Sequence, residues 1–216
     1  MKKKQIIYLC TLLICFIAIC ASLLCYYLIP RITYAYDKET ESYYVDKVYG
    51  NAKSYTIASY VHSKPVTKIR ARAFMNKTKM QKVILSETIV EVERMSFKGC
   101  KRLKEVNLNN VEKIGRNAFQ NCVSLEQIEL QARYIDGAAF MECHHLSSVL
   151  LKRTSIIGSY AFAYTNIEEI VIPSTCHTLG VDAFYACDNL KKIVVHSPHL
   201  KNNAYLNTFE NIEFVE

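Results

Sequence analysis

The sequence predicts a mainly β solenoid of short parallel strands joined by irregular and short helical segments, preceded by one N-terminal transmembrane helix. Three observations predict it. A phenylalanine returns as Phe74, Phe97, Phe119, Phe140, Phe162 and Phe184, at intervals of 23, 22, 21, 22 and 22 residues. Apolar residues hold fixed places on either side of each of these rings. Ile6 to Ile29 runs for 24 residues without a charge.

The repeat organises most of the chain. Alanine precedes the ring in every unit but one, where Ser96 replaces it. Five positions before the ring stand Ile69, Val92, Ile114, Ile135, Ile157 and Leu179. Five or six positions after it stand Met80, Leu103, Leu125, Leu146, Ile167 and Leu190. Three further on come Val83, Val106, Ile128, Val149, Ile170 and Ile193, and two beyond those Leu85, Leu108, Leu130, Leu151, Ile172 and Val195. Such columns describe a coil that turns once per unit and stacks its apolar positions on those of its neighbours. The alternation that ends in Val106 and Leu108 marks a short strand with one face buried. Stacked coils set these strands side by side, about 4.8 Å apart, as a parallel sheet.

The units carry a family resemblance. Cys100, Leu103, Val106 and Leu108 fit the pattern C-x-x-L-x-x-I-x-L, as do Cys122, Leu125, Ile128 and Leu130, and Cys187, Leu190, Ile193 and Val195. Ile170 to Pro173 supplies the I-x-L-P variant. The array resembles the BspA-type (Treponema pallidum-type) leucine-rich repeats from about Tyr43 to Val195. Lys77 and Thr165 depart from it by replacing the cysteine, and Pro173 is the one strand-ending proline. The resemblance implies a leucine-rich-repeat solenoid that is surface-exposed or secreted and engaged in adhesion or cell contact. The expected organisation is a cytoplasmic tail over 1–4, a transmembrane signal anchor over 5–30 and a stalk over 31–42. An N-terminal cap follows over 43–73, then the repeats over 74–196 and a C-terminal cap over 197–216, where Phe209, Ile212 and Phe214 cover the last coil.

About 20 apolar residues suffice to cross a hydrocarbon core of about 30 Å. Lys2, Lys3 and Lys4 precede the uncharged stretch, while Arg31 alone follows it closely, so the N-terminus is expected in the cytoplasm and the repeats outside. The stretch is longer than a signal-peptide core, which favours an uncleaved single-pass anchor. Cleavage after Ala35, which would leave the chain secreted, is the alternative.

Twenty-seven basic residues include those three lysines, leaving 24 against 20 acidic residues from Arg31 onward. Both signs are interspersed, so no nucleic-acid partner is expected. The sequence has no G-x-S-x-G elbow, phosphate loop or dinucleotide-binding turn, and an enzyme is not expected. Cys143, His144 and His145 are consecutive and would point apart, unlike the spaced ligands of a metal site. No metal or cofactor is therefore expected. Cys100, Cys122, Cys143 and Cys187 share one column, while Cys176 alternates with Ile89, Val111, Ala132 and Thr154. They read as buried thiols filling space, with a disulfide between neighbouring coils as the rival reading. Asn76-Lys77-Thr78 is a glycosylation sequon.

Binding is expected on the outward face of the strands. One column there is Lys82, Glu105, Gln127, Ser148, Glu169 and Lys192; the other is Ile84, Asn107, Glu129, Leu150, Val171 and Val194. The second turns apolar over its last three coils, as contact surfaces can. An extracellular protein or glycan is the expected partner, besides the membrane through Ile6–Ile29. Self-association into a structural surface layer is the alternative.

Overall fold

The computed structural model describes residues 30–215. The uncharged stretch Ile6–Ile29 and its reading as an anchor lie outside these residues. No helix among the described residues is long and apolar enough to cross a membrane.

Each coil contributes two short strands to two separate sides of a solenoid. On one side lie β3 (Ser54–Thr56), β6 (Lys82–Ile84), β8 (Glu105–Val106), β10 (Gln127–Leu130), β12 (Ser148–Leu151), β14 (Glu169–Ile172), β16 (Lys192–Val195) and β17 (Ile212–Phe214). This is the strand line read from the sequence, in three ladders: β3-β6-β8, β10-β12 and β14-β16-β17. On the other lie β5 (Lys64–Ile69), β7 (Glu91–Val92), β9 (Lys113–Ile114), β11 (Tyr134–Ile135), β13 (Ile156–Ile157) and β15 (Thr178–Leu179). These join β1 (Arg31–Asp37), β2 (Ser42–Tyr49) and β4 (Tyr60–Val61) in one nine-stranded sheet. The second sheet was not expected. Strands of two residues are too short to show an alternation, so each reads as an isolated aliphatic position. Among the described residues, helix is confined to two three-residue 3₁₀ turns, Pro198–Leu200 and Leu206–Thr208.

Residues 31–42, expected as a stalk, are instead folded into the N-terminal cap. β1 pairs antiparallel with β2, and β2 pairs parallel with β5, so the hairpin extends the second sheet over its open end. Ile32 and Tyr34 pack against the core, and the Tyr34 hydroxyl accepts the Ala58 amide at 3.1 Å. A coil has no neighbour at the end of an array, and these residues supply one.

The six phenylalanines form the spine. All are buried, and successive ring centroids are 4.8, 5.0, 5.1, 5.4 and 6.0 Å apart, with interplanar angles of 15° or less. These separations fall in the favourable range for offset aromatic pairs. Tyr55 closes the N-terminal end by meeting Phe74 edge-on at 5.5 Å. Main-chain bonds run along the same line: the amide of each ring residue from Phe74 to Phe162 donates to the carbonyl of the residue before the next ring, at 2.7–2.8 Å.

Two left-handed residues bracket each ring. Those two before it are Arg72, Met95, Asn117, Ala138, Tyr160 and Asp182, and those two after it are Asn76, Gly99, Asn121, Glu142, Tyr164 and Ala186. Only one of the twelve is glycine, so inter-coil bonding holds the turn where local preference would not. Arg72, Asn76, Tyr160 and Tyr164 are exposed at these turns, and the others, Gly99 apart, are half-buried. Glycine is needed for another reason at Gly180, where a Cβ would stand 2.3 Å from the Ser159 nitrogen of the preceding coil.

Candidate binding faces

The strand face is laid out much as the columns imply, with exceptions that change its character. Lys82, Glu105, Gln127, Ser148, Glu169 and Lys192 are all exposed. In the second column Ile84, Asn107, Leu150 and Val171 are exposed and Glu129 is half-buried. Val194 is a correction: only 8% of it is exposed. β17 pairs beside β16 and sets Glu213 directly across from Val194, so a strand from the C-terminal cap covers what sequence spacing places outside.

The charged members other than Glu169 are already paired along the solenoid axis. Lys82 pairs with Glu105, Lys152 with Glu129, Lys191 with Glu168 and Lys192 with Glu213. Lys192 holds the Glu213 carboxyl below its ordinary value, and Glu213 in turn raises the Lys192 ammonium. Exposed pairs of this kind add little stability, but they neutralise much of the face. Asn107 is spoken for as well. Its side-chain oxygen accepts the Leu85 amide at 2.7 Å and its side-chain nitrogen donates to the Leu85 carbonyl at 2.8 Å. It prolongs the ladder beyond β8 by imitating a peptide group. Leu150 and Val171, on successive coils, remain as an apolar strip bordered by Ser148 and Glu169. Shallow grooves of about 390 and 350 Å³ flank Gln127, where the ladder breaks between β8 and β10.

A second face was missed in the sequence. Tyr160, Tyr164, Val181 and Tyr185 are exposed together on the turns around the last two rings, with Val181 61% exposed. Tyr185 meets Tyr164 edge-on at 5.5 Å and Tyr160 at 6.1 Å. A hydrogen bond to Asp182 raises the Tyr160 phenol above its ordinary value. The signal was present: Tyr160 and Tyr164 occupy the two left-handed columns, and Tyr185 follows its ring directly. Apart from Met95, those columns elsewhere carry small or polar residues, so they form no apolar pattern to notice. Three rings, with Tyr185 against each of the other two, form a surface able to take aliphatic, aromatic or sugar C–H groups and guanidinium ions.

The five cysteines among the described residues are free buried thiols. Cys100, Cys122, Cys143 and Cys187 donate to the carbonyls of Phe74, Phe97, Phe119 and Phe162, at 3.1–3.2 Å. Burial pushes Cys143 up to about 12 and Cys176 up to about 11, the opposite of what a nucleophilic thiol needs. Next to buried Cys143, His144 lies on the surface with Nδ1 3.0 Å from the Tyr164 carbonyl, and His145 is exposed. The three side chains do not converge.

The fold and these faces define a repeat solenoid that presents side chains from stacked coils on its surface. The chain belongs to the BspA type leucine rich repeat family, which matches six copies over residues 67–191. Among solved structures it is similar to a leucine rich cell surface protein from Faecalibacterium prausnitzii, at 23% identity and a TM-score of 0.57, over 79% of this chain and 55% of that one. It is also similar to the T. pallidum leucine rich repeat protein, at 19% identity and a TM-score of 0.53, over 76% and 68%. The pneumococcal vaccine antigen PcpA matches at 23% identity and a TM-score of 0.61, over 79% and 48%. These likenesses concern the fold. The chain spans about half the length of the first and third of these structures. Against the curated proteins the sequence finds no match.

Proposed function

We propose that this chain is a non-catalytic binding module, tethered to a membrane by Ile6–Ile29 with its repeats outside the cell, that holds a protein or glycan partner on the face of its solenoid. The observation that carries the reading is the exposed cluster of Tyr160, Tyr164, Val181 and Tyr185. Tyrosine is enriched where proteins bind, because it offers a large rigid surface and a polar tip. Four large side chains left together in water have no folding role that would keep them there.

Two further facts support export and tethering. The F. prausnitzii structure is that of a cell surface protein and the pneumococcal one that of a vaccine antigen. Ala35 lies inside β1, paired with Tyr44, so a cut after it would remove most of a cap strand. That supports retention of the uncharged stretch over cleavage.

The test is a screen of the full chain in nanodiscs against glycan arrays and cell-surface proteins. A hit should weaken in the Tyr164→Ala/Tyr185→Ala double variant. A hit that ignores this change but is lost in Leu150→Asp/Val171→Asp would move the site to the strand face. Indifference to both would remove either face as the site. The alternative, self-association into a surface layer, is less favoured because charges stand on both outer strands, Arg31 and Asp37 on β1 and Glu213 on β17, and charge discourages edge pairing. A chain that sediments as concentration-dependent oligomers would revive it.

A further inference from the structure

The N-terminal cap holds a groove of about 610 Å³ whose walls include Tyr49, Arg70, Arg72, Lys77 and Arg94, with Asp46 at its side. Lys47 also lines it, so five basic side chains meet there against one carboxylate of the lining. Arg70 is paired with Asp46, and Glu93 accepts the Ala71 amide at 2.8 Å nearby, so two carboxylates temper it. Arg72 and Arg94 have no side-chain partner among the described residues. Lys77 stands in the column where four other coils bury a cysteine. Its ammonium is half-buried, donates to the Gly50 carbonyl at 2.6 Å and faces the groove. A cation in place of a small apolar residue, beside two unpaired guanidiniums, is a cradle suited to a phosphate, which guanidinium binds in a two-pronged manner.

The position of the groove says which phosphate. Tyr49 ends β2 and is paired across the hairpin with Arg31, whose guanidinium lies 4.3 Å from the centre of the Tyr49 ring. Arg31 is only two residues beyond Ile29, the end of the uncharged stretch. Two extended residues span about 7 Å, and the headgroup layer on each side of a bilayer is about 5–8 Å deep. With the stretch in lipid, the groove is held at headgroup depth. We infer that it seats the phosphate of an anionic lipid headgroup and so docks the base of the solenoid on the membrane that anchors it. This rests on the anchored reading above.

The test measures arginine modification by phenylglyoxal, read by mass spectrometry, on the full chain in nanodiscs. Phosphatidylcholine alone is compared with phosphatidylcholine mixed with phosphatidylglycerol, and exposed Arg133 and Arg153 serve as references. A cation beside an anionic leaflet gains about fivefold in occupancy, so Arg72 and Arg94 should react about fivefold more slowly in the anionic discs. The protection should vanish near 1 M salt, where screening acts within about 3 Å. Equal rates in both discs, with the chain embedded, would overturn the groove while leaving the anchor standing. Failure of the chain to float with phosphatidylcholine vesicles would instead remove the anchor, and the inference with it. Inorganic phosphate in detergent protecting Arg72 and Arg94 as strongly as the anionic discs would overturn the lipid as the source. Lys77→Met should reduce the protection in anionic discs; an unchanged protection would count against the cradle.

Discussion

The amide of Phe184 donates to the hydroxyl of Tyr205 at 2.9 Å. In each earlier coil the ring residue donates to a carbonyl of the following coil. After Phe184 there is no following coil, and a phenol from the C-terminal cap takes the carbonyl's place. The end of the array is thus closed by chemical imitation as well as by apolar cover.

Removing that oxygen should be costly out of proportion to its size. Tyr205→Phe keeps the ring and its edge-on contact with Phe209 but leaves a buried amide without an acceptor, a loss of about 1–3 kcal/mol. Denaturant unfolding should show the midpoint falling with the slope unchanged. A melt identical to the parent would mean that water replaces the phenol, and the capping role would be withdrawn.

Asn107 makes a similar substitution on the strand side, where its amide serves both polar groups of Leu85. Asn107→Ala should destabilise by about 1–2 kcal/mol, and amide exchange at Leu85 should quicken. If Leu85 stays as protected as before, the ladder does not depend on that side chain.

At Gly180 the constraint is space. Gly180→Ala places a Cβ against the Ser159 backbone, and forcing coils apart costs about 1–3 kcal/mol. Alanine ordinarily stabilises at a tolerant glycine, so the sign of the change in melting temperature decides the matter.

Stability should decline in alkali. Burial raises Cys143 from an ordinary 9.0 to about 12 and Tyr205 from 10.0 to about 12. Folded-state values above the unfolded ones mean that the unfolded chain releases its protons first. The contribution is therefore complete below pH 9 and is lost as pH rises toward 12, at up to about 1.4 kcal/mol per pH unit for each group. Unfolding free energies measured from pH 8 to 11 should fall, and Cys143→Val should lessen the slope between 9 and 11. A flat profile in the parent would show that these groups ionise alike in both states.

The repeat was legible because each ring, aliphatic position and thiol sits at one fixed point of a coil. Ile135 or Leu125 can therefore be assigned to the interior from spacing alone, and both are buried. Positions that depend on what lies beyond the array were not legible. Val194 has the spacing of an outward residue and is covered by β17; Ile32 and Tyr34 precede the repeats and pack against the core from the cap hairpin. The Tyr160, Tyr164 and Tyr185 cluster falls between these cases. Its members occupy readable columns, but nothing in the spacing says that they stand exposed.

From the sequence by itself follow the coil, its period, its interior and the family to which it belongs, because a pattern repeated every 22 residues or so needs only local spacing to be recognised. Tertiary structure alone decided how the ends are closed and which charges meet. Arg70, Arg72 and Lys77 fall within a stretch over 47–86 that holds no acidic residue, but Arg94 follows Glu93 on the next coil, and nothing along the chain sets the four together. The winding of one coil upon the next stacks their turns, and the hairpin folded against them makes of these residues a single groove.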